Sequence, residues 1–244
     1  MKKIIYDLGC HNGSNIPYYL LKADVVVAVD ANPKLCEIIK VKFDKEIKQN
    51  RLVVENCIIT TKKSNEKENF YILEELDAAS TLLPELPDTK LYLDGKRLLK
   101  SDYKQISVQT RNIKDLIYAY GKPFYIKIDL EHYDHYILKE IFLSDIRPDY
   151  ISSECHNMEV FNLMMKQVEY THFKLLKGNL KFKENKIKNL QNIELDYEFP
   201  LHSAGPCCDD INGRWIEKDL FEQYFFLSGG CGWVDIHGTF SKNN

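Results

Sequence analysis

The sequence is defined first by what it lacks. It has seven cysteines, Cys10, Cys36, Cys57, Cys155, Cys207, Cys208 and Cys231, but no CxxC pair. The odd count and irregular spacing exclude both a zinc-finger pattern and a disulfide framework. No apolar run approaches the roughly 18 residues that span a bilayer. Asp7 interrupts the apolar start too early for a signal peptide, so a cytoplasmic protein is expected. There is no excess of positive charge: Lys+Arg 33 against Asp+Glu 36 leaves a formal net charge of −3. A nucleic-acid partner held by bulk charge is therefore not expected. Neither fixed-period repeats nor a low-complexity linker break the 244 residues, which suit one α/β domain spanning 1–244.

What is present is an alternation of strand and helix patterns. "KIIYDL" and "DVVVAVD" are runs typical of strands buried on both faces. Between them "SNIPYYLLKA" reads as a helix capped by Ser14 or Asn15. "NPKLCEIIKVKFDKEI" reads as a helix with Asn32 as N-cap and Pro33 at the first position. "RLVVENCII" reads as a third strand. Strand–helix–strand units with short connections imply a parallel sheet. The rhythm returns with "PFYIKIDLE", "HYDHYILKEIFL", "DYISSECH" and "MEVFNLMMKQVEY". The long stretch from Asn179 to Gly230 reads as irregular up to a helix, "IEKDLFEQYFFL".

The loop "IIYDLGCHNGSN" narrows the chemistry. A GxGxxG dinucleotide fingerprint needs glycine at His11, and a P-loop needs a lysine the loop does not have. What remains is an acid, Asp7, with Gly9 and Gly13 after the first strand. Asp30 ends the second strand, where a carboxylate accepts both hydroxyls of a ribose and repels a 2′-phosphate. A free ribose without a necessary pyrophosphate points to an adenosine joined to an amino acid, S-adenosylmethionine. Asp7 then either faces the methionine ammonium or caps the next helix.

On these residues the chain resembles class I S-adenosylmethionine-dependent methyltransferases, and within them the FkbM family. "DLGCHNGSN", "VVAVDANP", "VENCII", "STLLPE" and above all "YIKIDLEHYDHYILKEI" carry the resemblance over nearly the whole chain. It implies a Rossmann-like α/β fold, a mostly parallel seven-stranded sheet with one antiparallel strand and helices on both faces. The cofactor set it implies is Asp7, Gly9, Asn12, Gly13, Asp30, Ala31, Asn56, Cys57 and Asp129. His132 departs from the family by standing where glycine is usual. The segment 179–230 is expected to act as a lid, replacing the N-terminal covering helices of many methyltransferases.

The expected reaction is O-methylation of a small-molecule hydroxyl. The resemblance points to a sugar, nucleotide-linked or part of a surface polysaccharide precursor. A phosphorylated or other non-sugar metabolite, and a non-catalytic binder on the same fold, stay open. Lys127, Asp129 and Glu131 alternate and would share one strand face, either as catalytic groups or as an ion cluster bracing the strand. Glu154 and His156 end the fifth strand, and His156 is the first choice of base, with Asp129 next. His132 and His135 read as surface or capping residues. Ser80, His202 and Trp215 are expected at the substrate, with His237 an alternative if the C-terminal segment covers the site. The acids Asp129, Glu131 and Glu154 permit a divalent metal, though the spacing does not demand one. "CCDD" reads as a solvated turn or cap.

Overall fold

A computed structural model of the chain describes residues 2–74, 76–83, 92–93, 96–97 and 100–240. Its main sheet is built from β1 (Ile4–Leu8), β2 (Val25–Asp30), β3 (Leu52–Asn56), β4 (Tyr125–Ile128), β5 (Tyr150–Glu154), β6 (His172–Lys177) and β7 (Val234–Thr239). The spatial order is β3-β2-β1-β4-β5-β7-β6, with the two-residue strand Ile216–Glu217 beyond β6. β3, β2, β1, β4 and β5 run parallel. β7 runs antiparallel to both of its neighbours. The seven expected strands are thus present, and Ile216–Glu217 adds an eighth by antiparallel pairing with His172 and Phe173.

The β-branched runs are buried because helices cover them. Ile4, Tyr6, Leu8, Val25, Val27 and Val29 point to one face. There they meet α4 (Ile113–Tyr120), α5 (Asp134–Leu143), α6 (Met158–Lys166) and α7 (Lys218–Leu227). Ile5, Val26, Ala28 and Leu52 point to the other. That face is covered by α1 (Ile16–Lys22), by Ile39 of α2 (Pro33–Lys42) and by the segment after β6. Each fully buried aliphatic side chain contributes about 1.5–3 kcal/mol. Truncating one such as Leu138, with no exposure, to alanine costs about 2–5 kcal/mol. The short α3 (Asp44–Lys48) buries no side chain.

Four sequence expectations change. The run "RLVVENCII" is broken at Cys57. Ile58–Thr60 leaves the main sheet and pairs with Lys104–Asn112, which also pairs with Lys67–Ile72. Asn32 caps α2 as expected, accepting from Lys34 N. Asn15 occupies the cap of α1 without capping it. Its side chain instead accepts from Ala204 N and donates to Gly205 O.

The segment 179–230 is not irregular throughout: Glu184–Lys188 and Glu194–Glu198 form a hairpin. Its strands are charge-rich, with Asn185 and Ile187 buried on alternate positions, so the apolar signal was too weak to read. Finally, the "CCDD" loop is not solvated at Asp210, which is 7% exposed. Its carboxylate takes Lys22 Nζ at 2.6 Å, Tyr18 OH at 2.8 Å and Lys188 N at 3.1 Å. It pins the hairpin to α1. Among the described residues no helix is long and apolar enough to cross a membrane.

Candidate active site

A cavity of about 720 Å³ opens at the carboxyl ends of β1, β2, β4 and β5. This is where parallel α/β sheets hold ligands. Of the residues expected there, Asp7, Gly9, Asp30, Ala31, Cys57, Ser80, Lys127, Asp129, Glu131, Glu154, His156 and His202 line it. Asn12, Gly13, Asn56 and Trp215 are not on its wall, and each has a different job. Asn12 Oδ1 accepts from Ser14 N within the loop. Gly13 has φ +72, and a Cβ there would lie 2.8 Å from Ile16 Cδ1. Asn56 Nδ2 donates to the carbonyls of Asp30 and Ala31, bracing the turn after β2. Trp215 Nε1 donates to Asp209 at 2.8 Å, and its ring packs against Tyr150.

The first loop is shaped by close approach. Gly9 has φ +77, and a Cβ on it would stand 1.8 Å from the carbonyl oxygen of Asp129. Only glycine lets β1 and β4 end so close together. His11, with φ 48, donates its backbone N–H to Asp30 Oδ2 at 2.8 Å. Its ring meets Asp77 at 2.8 Å, joining this loop to the turn Asp77–Ala79 on another wall of the cavity. Asp30 also accepts from Asn32 N at 2.8 Å. Burial pushes its carboxyl up to about 6, against those two hydrogen bonds.

Asp7 neither caps α1 nor stands alone. It is 1% exposed, and its Oδ1 lies 3.4 Å from Lys127 Nζ with no hydrogen-bond partner. Burial raises its carboxyl above the ordinary range, with Lys127 opposing. Lys127 also donates to Gly9 O at 2.7 Å and sits 3.2 Å from Asp129 Oδ2. Burial alone would lower its ammonium, but Asp129 and Asp7 outweigh that and hold it charged. Asp129 is likewise raised by burial, but Lys127 and Lys181 win and keep it below the usual carboxylate range.

Glu131 does not share the strand face of Lys127 and Asp129. β4 ends at Ile128, and Glu131 and His132 take φ values of 48 and 76. The left-handed course at His132 explains why glycine suits that position. The turn swings Glu131 toward β5, its Oε2 4.0 Å from His156 Nε2. Burial, then the charges of Asp129 and Glu154, raises its carboxyl well above the ordinary range. His132 is half-buried, and its ring stacks on His156 with centroids 4.3 Å apart. His135 instead meets Glu159 at 3.2 Å.

His156 Nε2 lies 3.2 Å from Glu154 Oε2. Burial pulls the imidazolium down, but Glu154, Asp134 and Glu131 overcome it and push it up to about 10. Burial and the charge of Asp129 push Glu154 up to about 8. Asp129, Glu131, Glu154 and His156 each bring a ligand atom within 4.8 Å of the others. That set could hold a divalent ion, with His156 deprotonated, but Lys127 already serves Asp129.

Sequence reasoning missed Lys181, Phe182 and Trp233, which also line the cavity. Lys181 Nζ donates to Asp235 Oδ1 at 2.9 Å. His237 does not reach the site. It is 2% exposed within β7, and burial, then Lys181 and Lys174, lowers it to about 3.

The family model described as methyltransferase FkbM domain matches residues 7–200. A comparison with curated proteins finds no match. Among solved structures, the chain is similar to methyltransferase FkbM from Methylobacillus flagellatus KT. The identity is 14% over 72% of this chain and 40% of that one, with a TM-score of 0.44. It is also similar to an S-adenosylmethionine-dependent O-methyltransferase from Thermotoga maritima. There the identity is 6% over 100% of this chain and 61% of that one, with a TM-score of 0.42. The chain thus spans less than two thirds of either protein.

Proposed function

The chain belongs to the FkbM methyltransferase family, with S-adenosylmethionine as cofactor, and we propose that it methylates a hydroxyl of a small, sugar-like acceptor. The observation that carries this reading is one cavity holding two kinds of wall. Asp7, Gly9 and Asp30 lie on one side and the Glu154–His156 pair on the other.

The residues fit the cofactor. The buried Asp7 Oδ1, without a hydrogen-bond partner, suits an ammonium, and Asp30 at the end of β2 suits the ribose hydroxyls. Ile58, Phe70 and Leu82 give an apolar wall for a base. When bound, S-adenosylmethionine supplies an already activated methyl group. The protein's work is then to align the acceptor, exclude water and accept a proton. In this reading residues 179–230 serve as the cover, supported by Lys181, Phe182, Leu201 and His202 lining the cavity and by the tie to α1 through Asp210.

The proton acceptor best matched to neutral pH is Glu154 rather than His156. A base works best with its pKa near the operating pH. Glu154 is pushed up to about 8 and His156 to about 10. In this reading the Glu154 carboxylate would accept the proton of the acceptor hydroxyl. The His156 imidazolium favours the ionised form of Glu154 against burial and Asp129, and the stacked His132 orients the imidazole plane.

Calorimetry with S-adenosylmethionine and S-adenosylhomocysteine tests the cofactor site. Mass spectrometry of nucleotide sugars and phosphate esters incubated with the protein tests the acceptor. Methylation of phosphate esters alone would overturn the sugar reading.

A further inference from the structure

We infer that Trp233 is the platform on which the acceptor ring stacks, and that its flat face selects a ring-shaped acceptor at this site. The inference rests on the sugar-like reading above and names the residue that recognises it. The chain has two tryptophans, and the structure separates their roles. Trp215 is used up: its N–H is given to Asp209, and Lys174 Nζ lies 4.9 Å from its ring centroid. Trp233 lines the cavity while remaining 56% exposed. Among the described residues its indole N–H has no hydrogen-bond partner. A large aromatic group left half in water inside a ligand cavity is a binding surface in waiting.

The ring is held in place rather than loose. A Cβ built on Gly178 would lie 2.0–2.5 Å from Trp233 Cδ2, Cε3 and Cε2. The indole therefore lies directly on the Gly178 backbone, where no other residue would let it rest. Gly178 N donates to Trp233 O at 2.8 Å, which locks the two backbones together. The turn from Gly178 also delivers Lys181, whose Nζ lies 6.0 Å from the Trp233 ring centroid. Phe182 adds a second ring at 5.9 Å.

The platform is also tied to the proposed base. Cys155, between Glu154 and His156, donates its N–H to Val234 O at 2.8 Å. Its carbonyl accepts from Gly232 N at 3.0 Å. Those two partners flank Trp233, so the indole and the Glu154–His156 pair are borne on directly bonded strand ends. A pyranose ring offers what such a cavity recognises: C–H groups for the indole face, and hydroxyls for the polar groups that share the cavity wall, Lys181 and Glu154 among them.

The test uses the full chain saturated with S-adenosylhomocysteine. Trp215→Phe leaves Trp233 as the lone indole, and its emission is followed against UDP-glucose, GDP-mannose and free hexoses, with calorimetry in parallel. Binding accompanied by quenching or a blue shift is expected. For an acceptor that is methylated, Trp233→Ala should raise KM roughly five- to tenfold with kcat little changed. Trp233→Phe should keep most of the affinity, and S-adenosylhomocysteine binding should not move in either variant. Gly178→Ala, which displaces the ring without removing it, should mimic Trp233→Ala. Calorimetric binding without any change in emission overturns the platform, as does an unchanged KM in Trp233→Ala. Absence of calorimetric binding for every carbohydrate overturns the sugar reading itself, and the platform with it.

Discussion

Glu154 and His156 face each other at 3.2 Å across the end of β5. Burial and the charge of Asp129 push Glu154 up to about 8 with His156 opposing, while Glu154, Asp134 and Glu131 overcome burial and push His156 up to about 10. If Glu154 accepts the proton, it must be ionised to act, so kcat/KM should rise with pH through about 8. Glu154→Gln should remove that limb and lower kcat by about 10²- to 10⁴-fold while sparing cofactor binding. His156 lowers Glu154, so His156→Ala should move the limb to higher pH. Were His156 the base, Glu154→Gln would shift the limb downward instead of abolishing it. A pH–rate series on the three proteins decides between them.

Cofactor affinity should depend on Asp30 in a defined direction. Its carboxyl is raised to about 6 by burial, and ribose hydroxyls donate best to the ionised form. Binding of S-adenosylhomocysteine should therefore weaken as pH falls through about 6. Asp30→Ala should be weak at every pH. Calorimetry between pH 5 and pH 8 would expose a flat profile, which would remove Asp30 from the ribose role.

Gly9→Ala should damage the loop after β1, proposed to hold the cofactor, and not merely perturb it. The added Cβ meets the Asp129 carbonyl at 1.8 Å on a residue with φ +77. Strain of this kind costs of order 1–3 kcal/mol, and the backbone displacement adds to it. Urea denaturation should show a lower midpoint, and calorimetry should show loss of cofactor binding. A variant with native stability and affinity would mean that the two strand ends are not held at this separation.

Lys127 is expected to matter for folding as well as for the site. Lys127→Met removes the cation beside Asp7 and Asp129, leaving buried carboxylates uncompensated. Breaking a buried pair in this way costs about 3–5 kcal/mol. Lowering the pH should recover part of that loss, because the stranded carboxylates can then take up protons. Urea midpoints at pH 5 and pH 7 would reveal whether the recovery occurs.

Much of this molecule was legible along the chain. The apolar runs of β1 and β2 fix a buried parallel sheet, because an unbroken β-branched stretch needs cover on both faces. The positions of Asp7, Gly9 and Asp30 at strand ends follow from that sheet, and with them one rim of the cavity. The pairing of Glu154 with His156 was also within reach, since both lie at one strand end.

Periodicity failed where the backbone left its regular course. Lys127, Asp129 and Glu131 alternate in sequence, but β4 stops at Ile128, and the left-handed turn at Glu131 and His132 sends the third carboxylate to another partner. Local pattern carries no information about contacts made across the fold. Which tryptophan meets the cavity depends on Gly178 lying beneath Trp233, 55 positions earlier in the chain. Whether Asp210 is solvated depends on Lys22 and Tyr18, far away in α1. Sequence determined the sheet and the acids on its rim, because burial patterns are local. Tertiary structure decided the course of residues 179–230, the placement of the indole and the shifts of the buried acids, because these depend on which distant groups are brought together away from water.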